Sequence, residues 1–215
     1  MGENEVLVTF PNLGPENIKI SLVKHWYITH ENIIGDTVFF MYAGTMLSMS
    51  LEDYNKVFKV DEVIAFTSVK LPYGWLGNMS PYPIKFGEDT YRTTEALFQA
   101  LRFKDNDIKA LIREEKSPIG AKLVAKSRAS EMYVKPLSDK DIMNMKMCLK
   151  LKLLQHPNLV IELLETGDKI IIEDVTRRGD KGANLVWGAM LVDGKWVGDN
   201  RLGKLWMELR KEFKK

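Results

Sequence analysis

The hydrophobic pattern changes character about a third of the way along the chain. Residues 6–10, 18–23 and 38–42 are short apolar stretches set apart by Pro11, Gly14, Pro15 and Gly35. Runs of that length between turn-forming residues read as β-strands. Leu47, Met49 and Leu51 then alternate with Ser48 and Ser50, after Ala43-Gly44-Thr45, which can turn a hairpin. The period of two predicts a small sheet with one apolar face. Ser50, with Asp53 three positions on, opens a short helix to about Phe58, and Val63, Ile64, Ala65 and Phe66 read as a buried strand.

Residues 72–83 concentrate Gly, Pro and aromatic side chains (Tyr73, Gly74, Trp75, Gly77, Asn78, Tyr82), the makeup of an ordered loop. Beyond it the spacing becomes helical. Thr93 or Thr94 is the N-cap for a run with Leu97, Ala100, Leu101, Ile108, Leu111 and Ile112 at helical spacing, broken around 105–107. Ser117-Pro118 supplies a cap and a first-turn proline for the next helix. Ser138 and Asp141 resemble a capping box opening a third, which runs to about His156-Pro157. Residues 158–166 give a fourth helix stopped by Gly167, 169–173 a short strand, 177–184 a polar loop and 202–213 a last amphipathic helix. The fold class this predicts is α+β. A predominantly helical domain with a few short strands, residues 66–215, follows a small β-rich extension, residues 1–65.

Composition narrows the function. With 45% hydrophobic and 10% aromatic residues in a chain of 215, there is material for a real core, which excludes disorder for most of the chain. Lys and Arg number 31 against 29 Asp and Glu, too balanced for a DNA-coating protein or one held on acidic membranes. Cys148 is the one cysteine, so no internal disulfide forms, and a reducing compartment is expected. The longest uncharged run, 37–51, falls short of the ~18 residues of a spanning helix. Glu3 and Glu5 stand where a secretory signal would be basic. These features predict a soluble protein of the cytoplasm, and they leave its oligomeric state open.

Common motifs are missing. There is no phosphate-binding P-loop, no Gly-x-Gly-x-x-Gly after a strand, no His-Glu-x-x-His and no Gly-x-Ser-x-Gly elbow. His25, His30 and His156 lack metal-ligand spacing, so no metal and no cofactor is expected.

Two helices carry polar residues in unexpected places. Around the helix after Thr93, taken at about 100° per residue, nearly everything is apolar except a stripe of Glu95, Gln99, Arg102 and Asn106 bordered by Phe98 and Phe103. The stripe is either a solvated face or the floor of a polar pocket, in which burial would raise the pKa of Glu95. In the helix after Ser138, Ile142, Met145 and Leu149 form an apolar row that Lys152 continues, while Lys146 and Lys150 point elsewhere. Lys152 either snorkels at the helix end or turns inward, where a Met of similar length would pack at least as well. Inward and beside a carboxylate, its amine would hold a phosphate or attack a sugar carbonyl carbon. Downstream, Glu173 ends a strand. Trp187 is either core or a flat surface for a base or sugar, and Asn200 either caps the last helix or binds a ligand.

Taken in order, these residues resemble the NADAR (NAD and ADP-ribose) superfamily, a group that includes the YbiA-like N-glycosidases of riboflavin-pathway intermediates. Tyr91-Arg92-Thr93-Thr94-Glu95-Ala96-Leu97-Phe98-Gln99-Ala100-Leu101-Arg102-Phe103 is similar to its Ser/Thr-Glu-His-x-Tyr/Phe-Gln-Ala-x-Lys-Phe signature. Gly77-Asn78-Met79 precedes it. Ser117-Pro118, Ala121-Lys122, Arg128, Met145 with Lys152, Leu163-Leu164, Thr166-Gly167-Asp168, Glu173, Trp187-Gly188, Gly198, Asn200, Leu202-Gly203, Met207 and Arg210 follow. The resemblance covers about Phe66 to Phe213. Ala96 stands in place of the signature His, Arg102 in place of Lys, and Leu153 in place of Phe. Asn184 stands where the resemblance places an aspartate three residues before Trp-Gly, in a loop longer than expected.

The resemblance implies hydrolysis of an N-glycosidic bond between ribose and an amine or base in a phosphoribosyl or ADP-ribosyl small molecule, with no cofactor. Cleaving that bond builds oxocarbenium-like charge that a carboxylate stabilises, and the departing nitrogen needs a proton. Glu95 is the expected carboxylate, and Glu173, Asp180 or Asn184 the second group that positions water or the leaving group. Lys152 would hold the phosphate or capture ring-opened ribose. Trp187 with Gly188, Asn78, Gln99, Arg102 and Asn200 would bind substrate. Two alternatives remain open. One removes ADP-ribose from a modified guanine in nucleic acid, with Arg177, Arg178 and Lys181 and the tail (Arg210, Lys211, Lys214, Lys215) on phosphates. The other is an inactive ADP-ribose-binding module.

Overall fold

In the computed structural model, which describes residues 5–9, 17–21, 28–42, 44–58 and 63–214, β1 (Glu5–Thr9) pairs antiparallel with β2 (Asn17–Ser21). β3 (Ile28–Ile34), β4 (Thr37–Tyr42) and β5 (Thr45–Ser50) complete an antiparallel sheet of order β2-β1-β5-β4-β3. Phe10, Leu22 and Val23, expected in strands, and Ala43 of the hairpin turn lie outside the described residues. Gly35 (φ 59°) and Gly44 (φ 83°) sit in the two tight turns, where glycine alone adopts the left-handed region without strain.

The register sets Val38 opposite Met49 and Phe40 opposite Leu47, and all four side chains are buried. The helix α1 (Leu51–Phe58) lays Tyr54 edge-on against Phe40 at 5.1 Å. The Ser50 hydroxyl accepts from Asp53 N and donates to its carboxylate, as the Ser50 and Asp53 spacing predicts. Two features differ from the pattern. Ser48, expected on a polar face, is buried in the central strand β5. β3 carries no readable alternation because it is an edge strand with Ile33 and Ile34 exposed.

Met1–Glu62 and Val63–Lys215 are separate compact units. The second unit begins with β6 (Val63–Phe66), followed by a hairpin of β7 (Ile84–Phe86) and β8 (Asp89–Tyr91). Five helices come next: α2 (Thr94–Ala100), α3 (Asn106–Glu114), α4 (Pro118–Ser127), α5 (Asp139–Gln155) and α6 (Pro157–Glu165). β9 (Ile170–Glu173) pairs in parallel with β6, and α7 (Asn184–Trp187), a β10 (Met190–Val192) and β11 (Lys195–Val197) hairpin and α8 (Arg201–Phe213) end the unit. The class is α+β and predominantly helical. Among the described residues, no helix is long and apolar enough to cross a membrane.

Helix starts follow their caps. Thr93, not Thr94, accepts from Ala96 N at the start of α2. Asp105 accepts from Asp107 N and Ile108 N, which places the break between α2 and α3. Ser117 and Ser138 cap α4 and α5 through Gly120 N and Asp141 N. The capping box at Ser138 is incomplete, because the Asp141 carboxylate bonds Leu137 N and Arg102 instead of returning to Ser138.

Every residue of α2 is buried, with α3, α4, α5 and β8 packed around it. On the other side, α8 reaches β9 so closely that a Cβ on Gly203 would collide with Ile171 O and the Asn200 amide. Gly203→Ala is therefore expected to destabilise by about 2 kcal/mol and to lower Tm by about 4–8 °C. An unchanged melting curve would contradict this packing.

Candidate functional site

Glu95, in the first turn of α2, is 5% exposed. Its backbone N–H donates to Asn78 O at 2.9 Å, which fixes the Gly- and aromatic-rich loop against the start of the helix. Its carboxylate begins a chain of buried polar groups. Gln99 Nε2 donates to Glu95 Oε1 (2.8 Å), and Arg102 Nη1 donates to Gln99 Oε1 (2.9 Å). Arg102 Nε and Nη2 then fork onto the two oxygens of Asp141, each at 2.8 Å. The stripe is thus interior and not a solvated face. Asn106 is not part of it, because the chain breaks at Asp105 and Asn106 opens α3, exposed and bonded to Lys109. Phe98 lies under the Arg102 guanidinium (4.5 Å) and meets Trp187 edge-on at 5.7 Å.

Lys152 is wholly buried, so it does not snorkel. Its amine donates to Trp75 O, to Gly77 O (3.3 Å) and to Ser80 Oγ (2.7 Å), and it lies over the Tyr82 ring at 4.9 Å. Its partners therefore belong to the loop that presents Asn78, and neither Glu95 nor Glu173 is among them. Burial draws the amine down to about 7 from its ordinary 10.5.

Lys152→Met leaves Trp75 O and Gly77 O sharing the single Ser80 hydroxyl proton. It is expected to destabilise by about 2 kcal/mol where the amine is neutral, against the packing expectation that Met does as well. Between pH about 7 and 10.5 the unfolded chain holds a proton that the folded chain has released, so wild-type stability rises with pH across that window. Urea midpoints at pH about 7 and about 9.5 check this. The deficit of the Met variant should be larger at the higher pH, and an equal deficit would count against a buried neutral amine.

Glu173 ends β9 with its side chain 15% exposed. Burial pushes its carboxyl up and the charge of Glu95 adds to this, while Arg178, bonded to Glu173 Oε1 at 2.8 Å, and Lys122 pull it down. The net direction is upward. Asn200 holds this corner, accepting from Glu173 N (3.1 Å) and donating to Ile171 O (2.8 Å). Its side chain makes no cap bond to α8, contrary to the capping expectation. Gly188 is buried where a Cβ would strike Glu173 O, which brings Trp187-Gly188 against the same strand end.

Asn184 donates to Gly179 O (3.0 Å) and so shapes the loop around Asp180, whose side chain is exposed. Among the described residues of the second unit, Asn78 Oδ1, Thr94 Oγ1 and Asn144 Nδ2 are buried without a hydrogen-bond partner. The first two flank Glu95, where a substrate hydroxyl, amine or water would satisfy them. The sequence pattern does not single out Asp141, Arg178 or Ser80 as residues of this site. Asp141 reads there as a helix cap and Arg178 as a phosphate contact. Among the described residues, no three His, Cys, Asp or Glu side chains gather to hold a metal ion.

A helix-rich α+β domain with a buried glutamate at the head of a chain of polar side chains is the class this site defines. The NADAR domain family model matches residues 65–214, and the chain belongs to that family. It is 32% identical over 153 residues to N-glycosidase YbiA of Escherichia coli K12, covering 71% of this chain and 89% of that protein. A Nostoc punctiforme N-glycosidase is 30% identical over 157 residues, 70% and 92% of the two chains. The NMR structure of E. coli YbiA matches with a TM-score of 0.59 at 32% identity, over 72% of this chain and 86% of that one. These relatives identify an enzyme of the N-glycosidase class.

Proposed function

We propose that the protein hydrolyses the bond between ribose and an amine or base nitrogen in a phosphoribosyl or ADP-ribosyl small molecule, of the kind formed by riboflavin-pathway intermediates. What supports this is Glu95, buried at the head of the Gln99, Arg102 and Asp141 chain beside the unpartnered Asn78 Oδ1, together with Glu173 at the end of β9, whose carboxyl burial pushes up. Groups whose surroundings set them apart in this way take the opposite roles of charge stabiliser and proton donor. Glu95 faces the anomeric carbon and offsets the positive charge that develops on the sugar as the C–N bond breaks. Glu173, held towards its protonated form, gives the proton to the departing nitrogen. Water attacks the anomeric carbon and gives its proton to the Glu173 carboxylate, which restores the acid, and the products are the free sugar phosphate and the amine.

The other residues bind and position. Asn78 Oδ1, without a protein donor, accepts from a sugar hydroxyl. Trp187, braced by Phe98, stacks on the base or the sugar. Arg178 and Lys122 supply positive charge beside Glu173 for a substrate phosphate. Asn184 and Asp180 shape the rim of that loop. Lys152 acts by holding the 75–80 loop.

The nucleic-acid reading loses part of its basis. Arg210 is buried and donates to Thr166 Oγ1, and Lys214 pairs with Asp168. The test is to incubate the protein with ribosylamino-pyrimidine phosphates, NAD, ADP-ribose and ADP-ribosylated guanosine and to follow the products by mass spectrometry. Release of sugar phosphate from the pyrimidine compounds supports the reading. Turnover of ADP-ribosylated guanosine alone would move the function to modified nucleic acid.

A further inference from the structure

Glu95 is not held by its own backbone position alone. Its Oε1 takes a hydrogen from the Gln99 amide, and a glutamine amide presents either its oxygen or its NH2 with almost equal ease. An oxygen turned towards the carboxylate would repel it. What decides the orientation is Arg102, which has only donors and therefore requires Gln99 Oε1 on its own side. The NH2 is left for Glu95. Arg102 cannot swing away, because Asp141 grips it by two of its nitrogens from α5 and the Phe98 ring lies against its face. Asp141 is wholly buried, and its remaining bond ties Leu137 N just ahead of α5.

We propose that Asp141 is a positioning residue for the reaction, acting through Arg102 and Gln99 to fix the direction in which Glu95 presents its carboxylate to the substrate. The inference rests on Glu95 being the reacting carboxylate. The relay keeps a donor on Oε1 and leaves Oε2 to face the substrate. A buried ion pair of this kind adds little to stability alone, and the fork joins Arg102, just past the end of α2, to Asp141 in α5. A chain of fully satisfied buried groups does, however, specify a single geometry.

The test is a double-mutant cycle measured on a ribosylamino-pyrimidine phosphate, with Glu95→Gln, Gln99→Met, Asp141→Asn and Gln99→Met with Asp141→Asn, recording kcat, KM and Tm for each. Asp141→Asn is expected to lower kcat on the order of tenfold, the scale on which partners behind a functional group act, with KM little changed. Gln99→Met should lower kcat to a similar degree, and the double variant should be no slower than Gln99→Met, because the relay is already cut. If Asp141→Asn does not fold, Arg102→Met with Asp141→Leu removes both charges together and takes its place with the same expected loss. Effects on kcat that multiply, or a change in Tm with kcat intact, overturn the relay while Glu95→Gln remains inactive. Near wild-type turnover in Glu95→Gln removes the reading of Glu95 and the relay with it.

Discussion

Glu95→Gln is expected to cut turnover by about a hundredfold or more, the scale of losing one preorganised electrostatic stabiliser, while substrate binding changes far less. Glutamine has nearly the same volume, and its oxygen can still accept from Gln99, so the packing of a site that is 5% exposed is kept. What disappears is negative charge next to a carbon that becomes positive in the transition state. That charge is little screened because Glu95 is buried on α2, every residue of which is buried, Phe98 included. Steady-state kinetics with a separate measurement of substrate affinity checks the claim. A variant that turns over at near wild-type rate would move the stabilising role to Glu173.

Glu173→Gln should also lower turnover by about a hundredfold, as removal of a general acid does, and it should change the shape of the pH profile. Burial and the charge of Glu95 hold the Glu173 carboxyl above the ordinary 4.5, against Arg178 and Lys122. The protonated form therefore survives to higher pH than in a free glutamate. As pH rises through the raised value the acid is lost, so kcat/KM falls on the alkaline side. Glutamine has no proton to give and no titration, and the variant should lose that limb as well as the rate. A pH profile with the same alkaline limb in the variant would assign it to another group.

How far the site could be read from the sequence depended on whether the information was local. Thr93, Asp105, Ser117 and Ser138 act on N–H groups two or three residues away, and short-range capping chemistry is written in adjacent positions. Lys152 could be read as an intruder because it interrupts an apolar row within one helix. What it touches could not. Trp75, Gly77 and Ser80 are 72–77 residues earlier, and nothing in the spacing of either segment reports the contact.

The same limit hid the relay. Glu95, Gln99 and Arg102 share a stripe that a helical projection finds, but Asp141 lies 39 residues on and reads as the last member of a capping box. Only the fork from Arg102 shows its second use. The projection also extended the stripe to Asn106, because a wheel drawn at constant angle does not stop where Asp105 caps a new helix. The strands of the β7 and β8 hairpin and the β10 and β11 hairpin have three residues each, too few for a period of two to emerge. Glu173 reads as a strand end, but what surrounds it is a matter of space, supplied when β9 meets Trp187-Gly188 and Asn200.

The most direct test of the account is to run the reaction in water enriched in heavy oxygen and to weigh the sugar released at short times. A carbon-13 sugar phosphate added at the start reports any uncatalysed exchange. Hydrolysis at the anomeric carbon predicts that wild-type protein releases sugar phosphate carrying the heavy oxygen before the added standard acquires it, with one free amine for each sugar, and that Glu95→Gln releases almost none. Sugar released without the label, or ADP-ribose bound and recovered intact with no ribosyl compound cleaved, would contradict the account.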